Sequence, residues 1–262
     1  MNINRIIRQR TSVRTFNPGH KVEDELERIL FKSISEAYTP FGGNFIIELK
    51  RFSDKKELRP GTYGVISGAE MYLLLYVKDN DPIAELSAGF AMEQVILKAT
   101  ELGLGTCWIA ATLKKTDFEI DNSIPEDYSL RIVSPVGYKA DHKRFLERTV
   151  RAIAGSSSRK PMDKLFFKEN PSTPLPEDNI FYNHLASMRL APSSRNSQPW
   201  RATVNDNSLS FYPATDNRCT NFDMGIGLSH FYLSLKSSGM DGTFSLKENR
   251  TIKFTLNECF TY

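Results

Sequence analysis

The sequence predicts an α+β fold, in which helices flank a sheet of short strands. Apolar residues occur with both the helical and the strand periodicity. Residues 22–37 carry Leu26, Leu30 and Ile34 at helical spacing, whereas in 200–211 apolar and polar residues alternate on either side of a polar turn. The uninterrupted apolar run Met71–Val77 is typical of a strand that is buried on both faces.

The other elements are predicted by the same signals. In the first part of the chain we expect a helix over 22–37, strands over Phe45–Arg51, Met71–Val77 and Tyr128–Gly137, and an apolar helix from Pro82 to Leu102 that Gly103 and Gly105 end. Further on we expect a helix over 142–154 and then a change of composition over 155–176, whose Pro-rich second part, 170–176, is predicted to be a linker. After it we expect a helix over Asp178–Leu190, a hairpin at 200–211, a helix over Met224–Ser238 and a strand over Thr251–Leu256.

The chain also shows signs of an internal repeat. Pro40 and Asn44 recur as Pro192 and Asn196, an offset of 152 (192−40). A second set recurs at an offset of 136 (225−89): Gly89, Val95, Leu97 and Gly103 match Gly225, Phe231, Leu233 and Gly239. We therefore expect two related halves, residues 1–168 and 169–262, the second of them truncated. Chance matching of a helix, a proline and a glycine is the alternative.

Composition excludes several classes of protein. The 262 residues carry a net charge of +3, too little to indicate a nucleic-acid-binding face. The longest apolar run has seven residues, far short of a bilayer span. Three widely spaced cysteines do not form a disulfide framework, and no apolar segment follows the basic N-terminus, so we expect a cytoplasmic protein with no membrane partner.

Two polar segments are candidates for a binding site. In R-T-S-V-R-T-F (10–16), two guanidinium groups and nearby hydroxyls suit a phosphate group, although a solvated basic turn has the same composition. In A-P-S-S-R-N-S-Q-P-W (191–200), closely spaced donors and acceptors are typical of a functional loop, although a plain helix-to-strand connection is the alternative.

The usual signatures of other sites are missing. The four histidines lack metal-ligand spacing, and neither G-x-S-x-G nor a Walker A sequence occurs. If the protein is an enzyme, a bound cofactor is the natural carrier of its chemistry.

Together these segments resemble the nitroreductase family of FMN-dependent oxidoreductases, in particular the variant whose single chain carries two fused halves. The similarity extends to G-T-Y-G-V-I-S-G-A (61–69), E-L-G-L-G-T-C-W (101–108), P-V-G-Y (135–138) and S-R-K-P (158–161). The resemblance implies a nitroreductase-like fold of two fused halves with a mostly antiparallel sheet flanked by helices.

It also implies where FMN would bind. Family members bind FMN between two subunits, one supplying a basic arm and the other the A-P-S-x-x-N loop; here the first half keeps the arm and the second keeps the loop, so we expect one FMN per chain and an empty second site. No side chain is expected to be catalytic, since the flavin carries the chemistry, and no metal is expected. The implied cofactor-binding residues are Arg10, Thr11, Ser12, Arg14, Trp108, Ile109, Ala110, Ala111, Arg159, Lys160, Pro192, Ser193, Ser194 and Asn196.

Within that set the segment 108–111 would offer backbone N–H groups to flavin N5. Many relatives carry an acidic residue where Ala110 stands, and a Gly helix cap followed by a strand is the alternative for 103–111. Gly61–Gly64 would lie near the pyrimidine side. Tyr63, Phe41 and Trp108 are candidates to stack on substrate, and each also fits a place in the core.

The resemblance implies an NAD(P)H-dependent oxidoreductase that transfers hydride through flavin N5 to a small organic acceptor, such as a nitroaromatic or a quinone. NADH and NADPH remain open as donors. A flavin- or small-molecule-binding protein without turnover is the alternative, and a structural remnant that binds no flavin is a third. Because the halves are fused, a monomer is expected, with a homodimer still open.

Overall fold

A computed structural model describes residues 2–52, 66–110, 118, 123–141 and 158–257. The helices are α1 (Ile3–Gln9), α2 (Asp24–Ser35), α3 (Pro82–Glu101), α4 (Tyr182–Arg189) and α5 (Thr220–Ser237). The strands are β1 (Phe45–Arg51), β2 (Met71–Lys78), β3 (Gly105–Thr106), β4 (Tyr128–Gly137), β5 (Phe166–Lys168), β6 (Trp200–Asn205), β7 (Ser208–Pro213), β8 (Gly242–Leu246) and β9 (Ile252–Leu256).

The strands form two sheets whose orders match. The first sheet runs β1-β2-β4-β3 and is antiparallel throughout. The second runs β5-β6-β7-β9-β8, antiparallel except that β5 pairs with β6 in parallel. Without β5, the second sheet has the order β6-β7-β9-β8. In both sheets the first, second, fourth and third strands along the chain therefore lie side by side in that order.

The long helices α3 and α5 pack against each other between the sheets, and their contacts are reciprocal. Leu86 of α3 lies in the apolar core of the second sheet, and Phe222 of α5 lies in that of the first. A Cβ added to Gly89 would overlap Phe222 O, and one added to Gly225 would overlap Leu86 O. The two backbones approach closely because both crossing positions are glycine. Among the described helices, none combines the length and the apolar character needed to cross a bilayer.

Most predicted elements are confirmed. Strands β1 and β4 have the predicted bounds, and β2 is buried along seven of its eight residues. Helix α3 begins at Pro82, where the Asp81 carboxylate accepts from Ala84 N–H over 2.9 Å, and Gly103 follows its end with φ +79°. Helix α2 and the hairpin β6–β7 also lie where predicted. The helix predicted over 142–154 lies outside the described residues.

Other predictions need correction. Strand β5 was not predicted; it lies just before the linker expected over 170–176, and the Phe166 side chain is fully buried beside Ala202 because distant strand β6 provides a pairing edge. Helix α4 begins at Tyr182 rather than Asp178, since the Asn179 side chain accepts from the Phe181 N–H over 3.0 Å and forms a turn.

Four further elements differ from the sequence-based predictions. Helix α5 begins four residues before Met224, and β9 begins one residue after Thr251. Helix α1 was not predicted, and it packs Ile3, Ile6 and Ile7 against Leu97 of α3. Strand β8 was not predicted either, and it pairs only with β9 at the edge of the second sheet.

Candidate functional site

The N-terminal arm, residues 10–16, runs beside β3 at the edge of the first sheet. The Val13 N–H donates to Thr106 O over 2.8 Å, and Ser12 forms a parallel bridge with Thr106. Gly105 permits this approach, because a Cβ there would lie 2.7 Å from Val13 Cγ2. Backbone pairing therefore orders the arm along the sheet, and its side chains have defined positions.

Two guanidinium groups of the arm have buried nitrogens without partners. Arg10 Nε and Nη1 and Arg14 Nη1 form no hydrogen bond with the residues described. The nearest carboxylate oxygen to Arg10, Glu93 Oε1, is 3.9 Å from Nε. Burial lowers the pKa of Arg10, and the Glu93 carboxylate opposes that shift. Buried donors are almost always paired in proteins, so these nitrogens suit an anionic ligand.

The loop that precedes β6 has a strained backbone. Arg195, Asn196 and Gln198 have φ values of 51°, 54° and 46°, in the left-handed region that side-chain-bearing residues rarely adopt. The Gln198 N–H donates to Ser193 Oγ over 2.9 Å and closes the turn. Strain of this kind persists only where surrounding contacts hold it, and it concentrates at binding sites.

A buried carboxylate beneath this loop holds it in place. The Ser194 N–H donates to Asp223 Oδ1 over 2.9 Å, and the Ser197 hydroxyl donates to Oδ2 over 3.3 Å. Burial raises the pKa of Asp223 to about 7, although both hydrogen bonds act to lower it. Asp223 lies in the first turn of α5. Sequence reasoning missed it, and an acidic residue at the start of an otherwise apolar helix is the signal that could have found it.

Arg159 and Lys160 bind the same loop. Arg159 Nη1 donates to Asn196 Oδ1 over 3.2 Å, and Lys160 Nζ donates to Ser197 O over 2.7 Å. Burial lowers the pKa of Arg159, and the positive charge of Arg10 lowers it further, so the loop and the arm carry neighbouring cations. The structure thus brings the basic pair, the loop and Arg10 together.

The segment after β3 continues along the edge of the first sheet. The Ile109 N–H donates to Val133 O over 3.0 Å, so that donor is already used within the sheet. The Trp108 indole N–H donates to Glu93 Oε2 over 2.7 Å. Glu93 was also missed, and a single acidic side chain within the apolar run of α3 is the signal that could have found it.

The other candidate residues either lie apart from this cluster of charges or lie outside the described residues. Phe41 packs in an aromatic cluster, with its ring centroid 5.7 Å from that of Phe90 and 5.4 Å from that of Phe244. Thr11 is exposed. Ala111, Tyr63 and the rest of Gly61–Gly64 lie outside the described residues. Within the described ranges, no cluster of His, Cys, Asp and Glu could hold a metal ion.

Comparison with known proteins places this chain in a class. A family model described as "Putative TM nitroreductase" matches residues 2–235. The chain is therefore an oxidoreductase enzyme of the nitroreductase class, and its fold is the nitroreductase-like α+β fold. It belongs to the TM nitroreductase family that this model defines.

One solved structure agrees with the fold over nearly the whole chain, and others are similar over part of it. A Thermotoga maritima MSB8 protein described as a "putative nitroreductase" is similar over 98% of this chain and 95% of that chain, with 23% identity and a TM-score of 0.64. A nitroreductase family protein from Clostridium novyi NT is similar over 69% of this chain and 100% of its own, with 18% identity and a TM-score of 0.43. A nitroreductase with bound FMN from Bacteroides fragilis NCTC 9343 is similar over 55% of this chain and 92% of its own, with 17% identity and a TM-score of 0.43. No curated protein gives a significant match.

Proposed function

We propose that this chain is a flavin oxidoreductase that binds one FMN at the junction of two fused halves, residues 1–168 and 169–262. The observation that carries the proposal is a set of buried guanidinium nitrogens, Nε and Nη1 of Arg10 and Nη1 of Arg14, which have no hydrogen-bond partner among the described residues and belong to the arm beside the strained loop. A phosphate monoester is an anion with several acceptor oxygens, and it satisfies such donors in a way that a neutral ligand does not.

The division into halves is supported by the reciprocal contacts of α3 and α5. Gly89 approaches the backbone of Phe222, and Gly225 approaches that of Leu86. Both pairs of matching positions, 86 with 222 and 89 with 225, differ by 136 residues, the offset found in the sequence. Thus Gly89 contacts Phe222, and their counterparts, Gly225 and Leu86, contact each other. Such reciprocal contacts are the signature of a two-fold axis. The matching strand orders of the two sheets support the same division.

A single flavin site is supported by the difference between the two loops. At an offset of 152, Phe41 is the counterpart of Ser193. Ser193 accepts a hydrogen bond within the strained loop, whereas the Phe41 ring fills space among Phe90 and Phe244. Because this aromatic cluster occupies the second position, we expect one FMN per chain. Because the halves are fused, we expect a monomer.

In this proposal the chain binds and orients the cofactor. Arg10, Arg14, Arg159 and Lys160 supply positive charge to the phosphate, with hydroxyls from Thr11 and Ser12. The loop residues Pro192, Ser193, Ser194 and Asn196 hold the other side. Because the Ile109 N–H is used by Val133, the donor to flavin N5 in the segment 108–111 falls to the N–H of Trp108, Ala110 or Ala111. Bound FMN would supply two-electron chemistry, accepting hydride from NADH or NADPH at N5 and reducing a small organic acceptor such as a nitroaromatic or a quinone.

The test compares the wild-type protein with Arg10→Ala and a matched control, Arg8→Ala. Arg8 lies in the last turn of α1 and Arg10 directly follows that helix, but Arg8 is exposed and Arg10 is buried. Each protein is titrated with FMN, and the dissociation constant is read from quenching of flavin fluorescence. Loss of a charge-assisted hydrogen bond costs about 1.5–3 kcal/mol, so Arg10→Ala should bind FMN at least about tenfold more weakly, while Arg8→Ala should bind like the wild type.

The number of flavins bound per chain tests the single site, and the reduction of that flavin tests for turnover. We expect one flavin per chain after desalting, bleached by NADH or NADPH under argon. Two flavins per chain would contradict the single-site argument. Flavin that is retained but never reduced would indicate a binding protein without turnover, and absence of flavin binding by the wild type would refute the proposed function.

A further inference from the structure

The carboxylate of Glu93 is fully buried and lies where the two halves meet. Its Oε2 accepts from the Trp108 indole over 2.7 Å, and its Oε1 lies 2.8 Å from His230 Nε2. Glu93 is on α3 and His230 on α5, and both are 0% exposed. The Arg10 Nε, which the proposed function assigns to a phosphate, lies 3.9 Å from Oε1.

The hydrogen bonds of His230 determine how many protons the pair holds. His230 Nδ1 lies 3.2 Å from Ser187 O, a carbonyl oxygen that can only accept. Nδ1 therefore carries a hydrogen. The contact between Nε2 and Glu93 Oε1 also needs one hydrogen, held either by the imidazole or by the carboxyl group. In both arrangements Glu93 and His230 together carry one shared proton and no net charge.

This neutrality matters for Arg10. A bare carboxylate 3.9 Å away would attract the guanidinium strongly, because the interaction lies in the protein interior, where charges are poorly screened. Arg10 would then turn toward Glu93 and compete with any anionic ligand. Instead Arg10 stands beyond hydrogen-bond distance of Glu93, with Nε and Nη1 free of partners among the described residues.

We propose that His230 is a positioning residue that neutralises Glu93 through a shared proton, so that the charge of Arg10 stays available to the phosphate of the ligand. The proposal rests on the proposed function, in which Arg10 binds that phosphate. Glu93 keeps its second role, which is to fix the Trp108 indole beside the same site.

The test removes the proton without removing the hydrogen bond. In His230→Gln the amide N–H can still donate to Glu93 but supplies no proton that neutralises it. We expect FMN to bind at least tenfold more weakly, because Arg10 pairs with the unneutralised carboxylate. The double variant Glu93→Gln/His230→Gln removes that carboxylate and should recover most of the affinity, to within about threefold of the wild type.

The matched control is His184→Gln. His184 is also a buried histidine, and its Nδ1 lies 3.0 Å from Ser234 Oγ. It should change the FMN dissociation constant less than twofold. Thermal unfolding of each variant verifies that affinities are compared between folded proteins. Equal affinities of His230→Gln and the control, or no recovery in the double variant, would overturn the proposal.

A second measurement needs no variant to fold. In wild-type protein with ¹⁵N-labelled histidine, Nδ1 of His230 should resonate as a protonated nitrogen, because its neighbour Ser187 O can only accept a hydrogen bond. An unprotonated Nδ1 would overturn the shared-proton arrangement. If the wild type binds no FMN, the proposed function fails by itself, and the ¹⁵N spectrum still decides whether the pair holds its proton.

Discussion

Replacing Asp223 by asparagine isolates the cost of burying a carboxylate under the binding loop. The variant keeps the shape of the side chain. Its amide oxygen can accept from the Ser194 N–H, and its amide nitrogen can donate to the Ser197 hydroxyl, as the carboxylate oxygens accept from them now. The loop should therefore keep its conformation while the charge disappears.

The size of the effect follows from the raised pKa of Asp223. Folding moves this pKa from 3.8 to about 7, because burial penalises the charged form. The folded state thus prefers the protonated carboxyl, and the stability that this preference contributes is complete below pH 3.8 and lost as the pH rises through about 7. Over about three pH units at about 1.4 kcal/mol each, the loss reaches at most about 4 kcal/mol.

The assay is urea denaturation of the wild type and Asp223→Asn at pH values from about 4 to about 8. We expect the variant to gain stability over the wild type as the pH rises to about 7, by 1 kcal/mol or more, and the difference to stay constant above it. Asp178→Asn, at an exposed aspartate, removes the same formal charge and should show no such trend. A constant difference between Asp223→Asn and the wild type at every pH would refute the reasoning.

Two further predictions concern packing and buried hydrogen bonds. Gly225→Ala should destabilise the protein by about 2 kcal/mol or more in urea denaturation, because the new Cβ meets the backbone of Leu86. Gly227→Ala should cost less, because its Cβ meets no backbone and only side-chain atoms of Met188 and Trp200, at 3.0 and 3.1 Å; equal effects would contradict the close crossing of α3 and α5. Trp108→Phe should cost about 1–3 kcal/mol, since it leaves Glu93 Oε2 buried without its donor, and an unchanged urea midpoint would show that this hydrogen bond contributes nothing.

The elements that sequence predicts well are those whose signals are local. Strand β4 has the expected bounds because apolar alternation and a terminal glycine mark it, and α3 is marked by Asp81, Pro82 and Gly103. Strand β5 has three residues and pairs with β6, more than thirty residues away, so its existence depends on a distant partner that no local pattern reveals. Helix α1 is short, and it is stabilised by packing of its isoleucines against other helices.

The candidate site likewise contains residues that the sequence reveals and residues that it does not. The basic arm and the polar loop stand out because their residue types cluster along the chain. Asp223 and Glu93 do not, because each stands among apolar neighbours in its helix and its significance comes from partners brought near by folding. Whether such a residue is an exposed charge or a buried anchor depends on the packing of helices, which the sequence does not state directly.

The two helices differ at the positions where the site needs a carboxylate. At the offset of 136, Glu93 of α3 has Ser229 of α5 as its counterpart, and Asp223 of α5 has Ser87 of α3. Each carboxylate is engaged by hydrogen bonds, whereas the hydroxyls of Ser87 and Ser229 are buried without hydrogen-bond partners among the described residues. Only one combination, Glu93 from the first half with Asp223 from the second, lies beside the retained arm and the retained loop. An unpaired buried hydroxyl costs free energy, so neither serine takes over the hydrogen bonds that the carboxylate makes at the matching position. This difference between the two positions supports the proposal of a single cofactor site in each chain.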